Sequence, residues 1–75
     1  MKPLNPMEVL RLDRLVSEFG DLSPMEALNL AIDSESTCRQ LGPFDPAYHH
    51  FALTKAKYEN YAELKERRLA MSPDW

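Results

Sequence analysis

The sequence has few of the residues on which catalytic and metal-binding sites usually depend. It has one cysteine, Cys38, so no disulfide can form within the chain, which fits a reducing compartment. Its only glycines, Gly20 and Gly42, are far apart and cannot form a phosphate-binding loop. The histidines, His49 and His50, are adjacent, so on a helix they would point about 100° apart and could not share a metal ion. We therefore expect no catalytic site, no cofactor and no metal.

Long apolar runs and an excess of positive charge are also missing. The longest uncharged run, 46–54, is far shorter than the ~20 apolar residues of a membrane-spanning helix. Charged residues stand where a signal peptide has its apolar segment, so we expect a cytoplasmic protein without membrane contact. The net charge is −3, and residues 1–45 carry four basic and eight acidic groups, a net charge of −4. This charge disfavours nucleic acid as a partner, because phosphate contacts dominate that affinity.

The sequence does contain clear helix starts. Asn5-Pro6, Ser23-Pro24 and Asp45-Pro46 each place an N-cap residue before proline, which is favoured at the first helical position. The first two continue as capping boxes, and Gly20 and Gly42 follow as helix stops. The sequence thus predicts three helices, at 6–19, 24–41 and 46–71. We expect a single all-α domain over residues 1–75, in which helices 1 and 2 form a hairpin, the longer third helix packs across both, and there is no β-sheet.

Apolar spacing predicts which side of each helix is buried. The helix 1 stripe is Val9, Leu12, Leu15, Val16 and Phe19, and the helix 2 stripe is Leu28, Ala31, Ile32, Cys38 and Leu41. Leu10 lies off its stripe, which suggests that helix 1 makes contacts on two sides. Phe44 is expected to pack onto helix 3 near His49 or His50. Glu35 lies beside the helix 2 stripe. Three interpretations of it stay open: a buried acid with a paired partner, a rim residue facing a partner protein, or a sign that the helix turns there.

Helix 3 carries residues typical of an interface. Seven-residue spacings relate Phe51 to Tyr58, and Tyr48 to Lys55 and then Ala62, which resembles the contact stripe of paired helices. A tyrosine hydroxyl needs a partner when it is buried, so these positions suit a half-buried face, with ordinary core as the alternative for Phe51 and Tyr58. Tyrosine, tryptophan and arginine are enriched in interface hot spots. We predict a homodimer through helix 3, and these partner-binding residues: Tyr58, Tyr61, Arg67, Arg68 and Trp75.

Together these features favour a protein-binding module, an adaptor or inhibitor that occupies a partner's surface. A small acidic domain of this kind suits a phage or mobile-element modulator of a host protein. One alternative is a helix-turn-helix DNA-binding regulator, since residues 15–28 have the helix, glycine turn and helix of that motif. In that case Asn29 would read bases, but residues 15–38 contain no lysine or arginine. A second alternative is a structural subunit of a larger assembly.

Overall fold

Three capped helices make up most of the chain in the computed structural model, which describes residues 3–71. They are α1 (Pro6–Phe19), α2 (Pro24–Leu41) and α3 (Tyr48–Met71). The described residues contain no strand, so the all-α, three-helix fold class is confirmed. The third helix is the longest, at 24 residues or roughly 36 Å.

The capping boxes predicted for the first two helices are both formed. The Asn5 side chain accepts a hydrogen bond from the Glu8 backbone N–H at 2.8 Å, and the Glu8 carboxylate accepts one from the Asn5 N–H at 3.1 Å. Ser23 and Glu26 make the same reciprocal pair at 3.1 and 3.2 Å. These contacts satisfy N–H groups that the helix itself leaves unpaired, which is why α1 and α2 begin at the predicted residues.

The third helix begins two residues later than predicted. The Asp45 carboxylate accepts from the Ala47 N–H at 2.8 Å, and the Asp45 carbonyl accepts from the Tyr48 N–H at 3.0 Å. These bonds close a turn through Pro46, and regular α-helix starts after it. Phe44 precedes this turn and is 97% exposed, so the predicted packing of its ring onto helix 3 is wrong.

The closest helix pairing is between α2 and α3. The buried residues of α2 are small and spaced four, three and four apart, the interval of a helix–helix contact stripe: Ala27, Ala31, Ser34 and Cys38. The Cys38 Sγ lies 3.7 Å from the carbonyl oxygen of Tyr48, whereas Ala27 packs in one cluster with Tyr61 and Ala62. The two helices are therefore antiparallel, and small side chains let them approach closely.

The buried stripe of α2 differs from the predicted one. Leu28 and Ile32 were expected to face the core, but they are 42% and 61% exposed. Ala27 and Ser34, which were not in the predicted stripe, are buried in their place. The expected burial of Ala31 and Cys38 is confirmed. Leu28 and Ile32 thus point away from the contact with α3.

The expected hairpin of helices 1 and 2 is replaced by a hairpin of α2 and α3. Glu8 near the start of α1 pairs with Arg67, and Glu18 near its end pairs with Lys57, so α1 is also antiparallel to α3. Two helices that are both antiparallel to a third run in the same direction and cannot form a hairpin. Within the described residues α1 approaches α3 but not α2, because no Cα atom of α1 lies within 8 Å of one in α2.

The apolar core lies where the C-terminal half of α3 meets α1 and the start of α2. Its buried members are Leu12, Leu15, Ala27, Tyr61, Ala62 and Leu64. Among the residues that the structure describes, three large side chains are fully buried, Tyr61, Leu12 and Leu64, so this core is thin. The radius of gyration is 14.0 Å, against about 11 Å for a globule of this length, because the hairpin extends beyond α1.

The close approach of α2 and α3 predicts that added volume at Ala27 destabilises the fold. Ala27 is fully buried, so Ala27→Leu forces the helices apart at an expected cost of about 1–3 kcal/mol in the free energy of unfolding. Asn29→Leu, at an exposed position on the same helix, is the control and should change stability by less than about 0.5 kcal/mol. Urea denaturation measures both, and equal effects would contradict the proposed packing.

Candidate functional site

Tyr61, one of the predicted partner-binding residues, lies in the core. It is 0% exposed, and its hydroxyl donates a hydrogen bond to the Gly20 carbonyl at 2.8 Å and accepts one from the Leu22 N–H at 2.8 Å. Both partners belong to the linker between α1 and α2. The sequence indicated correctly that this hydroxyl needs partners, but the partners come from the linker. Tyr61 therefore fixes the linker onto α3 and presents no surface to another protein.

Two neighbouring contacts hold the same linker. Asp21 forms an ion pair with Lys65, whose ammonium lies 5.8 Å from the centre of the Tyr61 ring. The hydrogen bond from Lys65 lowers the pKa of the Asp21 carboxyl below its ordinary value. The Phe19 ring packs against Tyr58 with their centroids 4.4 Å apart, so Tyr58 is half-buried. These contacts fix the end of α1 and the linker that leads to α2.

Arg67, a third predicted partner-binding residue, joins the start of α1 to α3. Its guanidinium donates to both carboxylate oxygens of Glu8, at 2.5 and 3.0 Å, and to the Pro3 carbonyl at 3.1 Å. The hydrogen bond from Arg67 is the main reason that the pKa of Glu8 is lowered, and the Asn5 backbone N–H contributes as well. Glu8 thus serves the capping box and this ion pair together.

The predicted set does not form one exposed surface. Tyr58, Tyr61 and Arg67 all act in holding α1 and its linker onto α3. Arg68 is exposed, and Trp75 lies outside the described residues. Two residues of the seven-residue stripe that suggested a homodimer contact α2 within this chain. The Tyr48 carbonyl oxygen lies near the Cys38 thiol, and Ala62 packs in one cluster with Ala27. The homodimer through helix 3 remains a prediction.

The exposed apolar residues of α2 form a surface that sequence reasoning missed. Met25, Leu28 and Ile32 are 66%, 42% and 61% exposed and lie at positions i, i+3 and i+7, on one side of the helix. We call them the α2 apolar face. The sequence offered a signal for it, since Ala27, Ala31, Ser34 and Cys38 form a second stripe of small residues. Apolar spacing does not distinguish this stripe from the predicted one, because the two share Ala31 and Cys38.

An open cleft of about 380 Å³ separates the end of α2 from the start of α3. Its lining includes Glu35, Cys38 and Arg39 from α2 and Tyr48, Ala52 and Lys55 from α3. Glu35 is half-exposed and pairs with Arg39 at 2.8 Å, which agrees with its interpretation as a rim residue. Among the described residues, no group of three histidine, cysteine or acidic side chains is placed to hold a metal ion.

Comparison with known proteins gives no relative from which a function could be transferred. No protein-family model, no curated protein and no solved structure matches the chain. Within the described residues, no helix is long and apolar enough to cross a membrane.

The burial of the Tyr61 hydroxyl predicts that its loss is costly. Tyr61→Phe leaves the Gly20 carbonyl and the Leu22 N–H without this partner, with an expected loss of about 1–3 kcal/mol in the free energy of unfolding. Tyr58→Phe is the control, because the Tyr58 hydroxyl makes no hydrogen bond within the described residues. Chemical denaturation compares the two. A Tyr61→Phe protein as stable as the control would show that the linker is not held this way.

The lowered pKa of Glu8 predicts a loss of stability in acid. The folded chain binds a proton at Glu8 less readily than the unfolded chain, so the ion pair stabilises the fold above about pH 4.3, the ordinary glutamate value. That contribution is lost as the pH falls through the lower folded pKa. Glu8→Gln keeps an acceptor for the cap and removes the charge. Between pH 7 and pH 3, the urea midpoint of this variant should fall less than that of the wild type. Equal falls in the two proteins would contradict the role of the Glu8–Arg67 pair.

Proposed function

We propose that this chain is a small non-catalytic protein-binding module, an adaptor or inhibitor that covers part of another protein's surface. The observation that carries the proposal is the α2 apolar face: Met25, Leu28 and Ile32 are large, exposed and aligned on one helix. Single exposed apolar residues are common on soluble proteins. Apolar residues aligned at i, i+3 and i+7 are the arrangement by which a helix enters a groove on its partner.

The fold supports this role because it does not need the α2 apolar face. The helix is fixed to α3 by its small-residue stripe and at its start by the Ser23–Glu26 capping box. The three apolar side chains are therefore presented on a helix that is ordered before any partner arrives. Less conformational entropy is lost on binding when the binding element is already ordered.

The proposal favours a protein partner over DNA. A helix-turn-helix packs its second helix against the first, whereas here the backbones of α1 and α2 do not approach each other closely. The first turn of α2 presents Met25 and Glu26, an apolar and an acidic side chain, where DNA binding calls for donors and positive charge. As part of the same proposal, we place the protein in the cytoplasm, which suits a chain with a single, buried cysteine.

Photo-crosslinking in cells that express the chain tests the proposed surface. A crosslinking amino acid at position 25 should yield a discrete adduct, because this position is exposed at the end of the α2 apolar face. The double variant Leu28→Ser/Ile32→Ser should lose most of that adduct while keeping its melting temperature, since both side chains lie outside the core. Leu53→Ser, which removes an exposed apolar residue of α3, is the matched control and should keep the adduct.

Two results would contradict the proposal. One is an adduct that forms equally in the Leu28→Ser/Ile32→Ser variant, because the capture would then not depend on the α2 apolar face. The other is the same adduct from position 33, which points about 100° away from position 32 and so faces a different direction.

A further inference from the structure

The outer side of α1 carries a second apolar surface, and this one is basic. Met7, Leu10, Arg11 and Arg14 lie at i, i+3, i+4 and i+7 and line a shallow depression of about 190 Å³. Of the two buried residues of α1, Leu12 lies on the opposite side of the helix, and Leu15 lies next to this set, one turn after Arg11. Met7 and Leu10 are 67% and 61% exposed. We call this set the α1 basic face.

Two glutamates of α3 border the start of the α2 apolar face, and Lys55 lies further along the same side of α3. Glu35 and Ala52 line the same cleft, so they mark one side of the α2–α3 hairpin. Seven residues make about two helical turns, so a residue and the one seven positions away lie on the same side of a helix. Leu28 therefore lies on the Glu35 side of α2, and Glu59 lies on the Ala52 side of α3. Because the helices are antiparallel, these steps bring Leu28 and Glu59 alongside each other. Glu63, one turn further along α3, extends the exposed acidic border beside the α2 apolar face.

The two surfaces are complementary in both polarity and charge. One offers two apolar side chains beside two arginines, and the other offers three apolar side chains beside two glutamates. Arg11 and Arg14 are one helical turn apart, as Glu59 and Glu63 are, so the charges can align in pairs. Within the described residues none of these four side chains forms a salt bridge. The charges on both surfaces therefore face solvent in the single chain.

We propose that the α1 basic face of one copy docks on the α2 apolar face and its Glu59–Glu63 border in a second copy. The proposal rests on the proposed function, because it assigns an occupant to the same α2 surface. Apolar burial supplies most of the affinity, and the charge pairs set orientation and make the association sensitive to salt.

The contact is heterologous, because each copy contributes two different faces. Such contacts leave one face of each kind free at the ends of a complex, so association continues past the dimer unless a ring closes. This matches the second contact side that Leu10 suggested in the sequence. A chain that associates in this way is a structural subunit of a larger assembly, which was the second alternative from the sequence.

Sedimentation velocity on charge-swap variants tests the proposal. The wild type should show a sedimentation coefficient that rises over a hundredfold concentration series and that falls when salt is added. Arg11→Glu/Arg14→Glu, and separately Glu59→Lys/Glu63→Lys, should each remain monomeric, because like charges then meet at the contact. Mixing the two variants should restore association, because each acidic α1 then meets a basic border and each basic α1 meets an acidic one.

Two controls separate this contact from general charge effects. Asp13→Lys/Asp33→Lys changes the net charge by as much as Glu59→Lys/Glu63→Lys, at exposed positions on other sides of α1 and α2, and should associate as the wild type does. The pKa of Arg67 is raised mainly by its hydrogen bond to Glu8 and least by the charge of Glu63. Glu59→Lys alone is a second variant that leaves the charge beside Arg67 unchanged, and it should still weaken association. Circular dichroism confirms that each variant keeps its helicity.

The outcomes also separate this inference from the proposed function. A wild type that sediments as a single 8.7 kDa species at every concentration overturns self-association, as do swap variants that associate alone or a mixture that does not. If position 25 captures a different protein while the chain stays monomeric, the binding function is supported and the second copy is excluded as occupant. A crosslinked product of twice the chain mass, lost in Arg11→Glu/Arg14→Glu, supports both.

Discussion

The contact between the small side chains of α2 and the surface of α3 decides most of the structure. Ala27, Ala31, Ser34 and Cys38 let the two helices approach closely, and these small residues occupy one side of α2. Turning that side inward turns Leu28 and Ile32 outward. The hairpin and the exposed α2 apolar face therefore have one cause. A larger residue in the small-residue stripe would weaken the α2–α3 hairpin and would leave the α2 apolar face unchanged.

A core this thin leaves α1 dependent on polar contacts. Burial of Leu12 and Leu15 holds its centre, whereas its two ends are held by Glu8 with Arg67 and by Glu18 with Lys57. The chain between α1 and α2 is held by the Tyr61 hydroxyl and the Asp21–Lys65 pair. Tyrosine and arginine suit partner binding because they combine a large contact area with hydrogen bonding, and the same properties suit them to fastening a helix within the chain. Residue type alone does not separate these two uses.

The helix bounds, which depend on neighbouring residues, were predicted correctly for α1 and α2. The pairing of the helices, which depends on distant residues, was not. Caps act within four residues, so the bounds of α1 and α2 followed from Asn5 and Ser23. Asp45 carries the same signal, but its carboxylate bonds to the Ala47 N–H and closes a turn first, which delays α3. Which helices pair, and through which side, depends on residues far apart in the chain, such as Cys38 and Tyr48 at one end and Ala27 and Ala62 at the other. For the two exposed apolar surfaces, the sequence provided one indication, the position of Leu10 outside the buried stripe of α1.

The division of the fold into a hairpin and a fastened helix also bears on how it can bind. The α2 apolar face lies on the hairpin, and the contacts that hold α1 lie on other residues of α3. A partner can therefore cover the face without displacing α1, and binding requires no unfolding of the core. Any partner that binds only the folded chain adds its binding free energy to the stability of the fold. For a domain with so few large buried side chains, that added stability is a physical reason to keep an apolar face exposed and aligned.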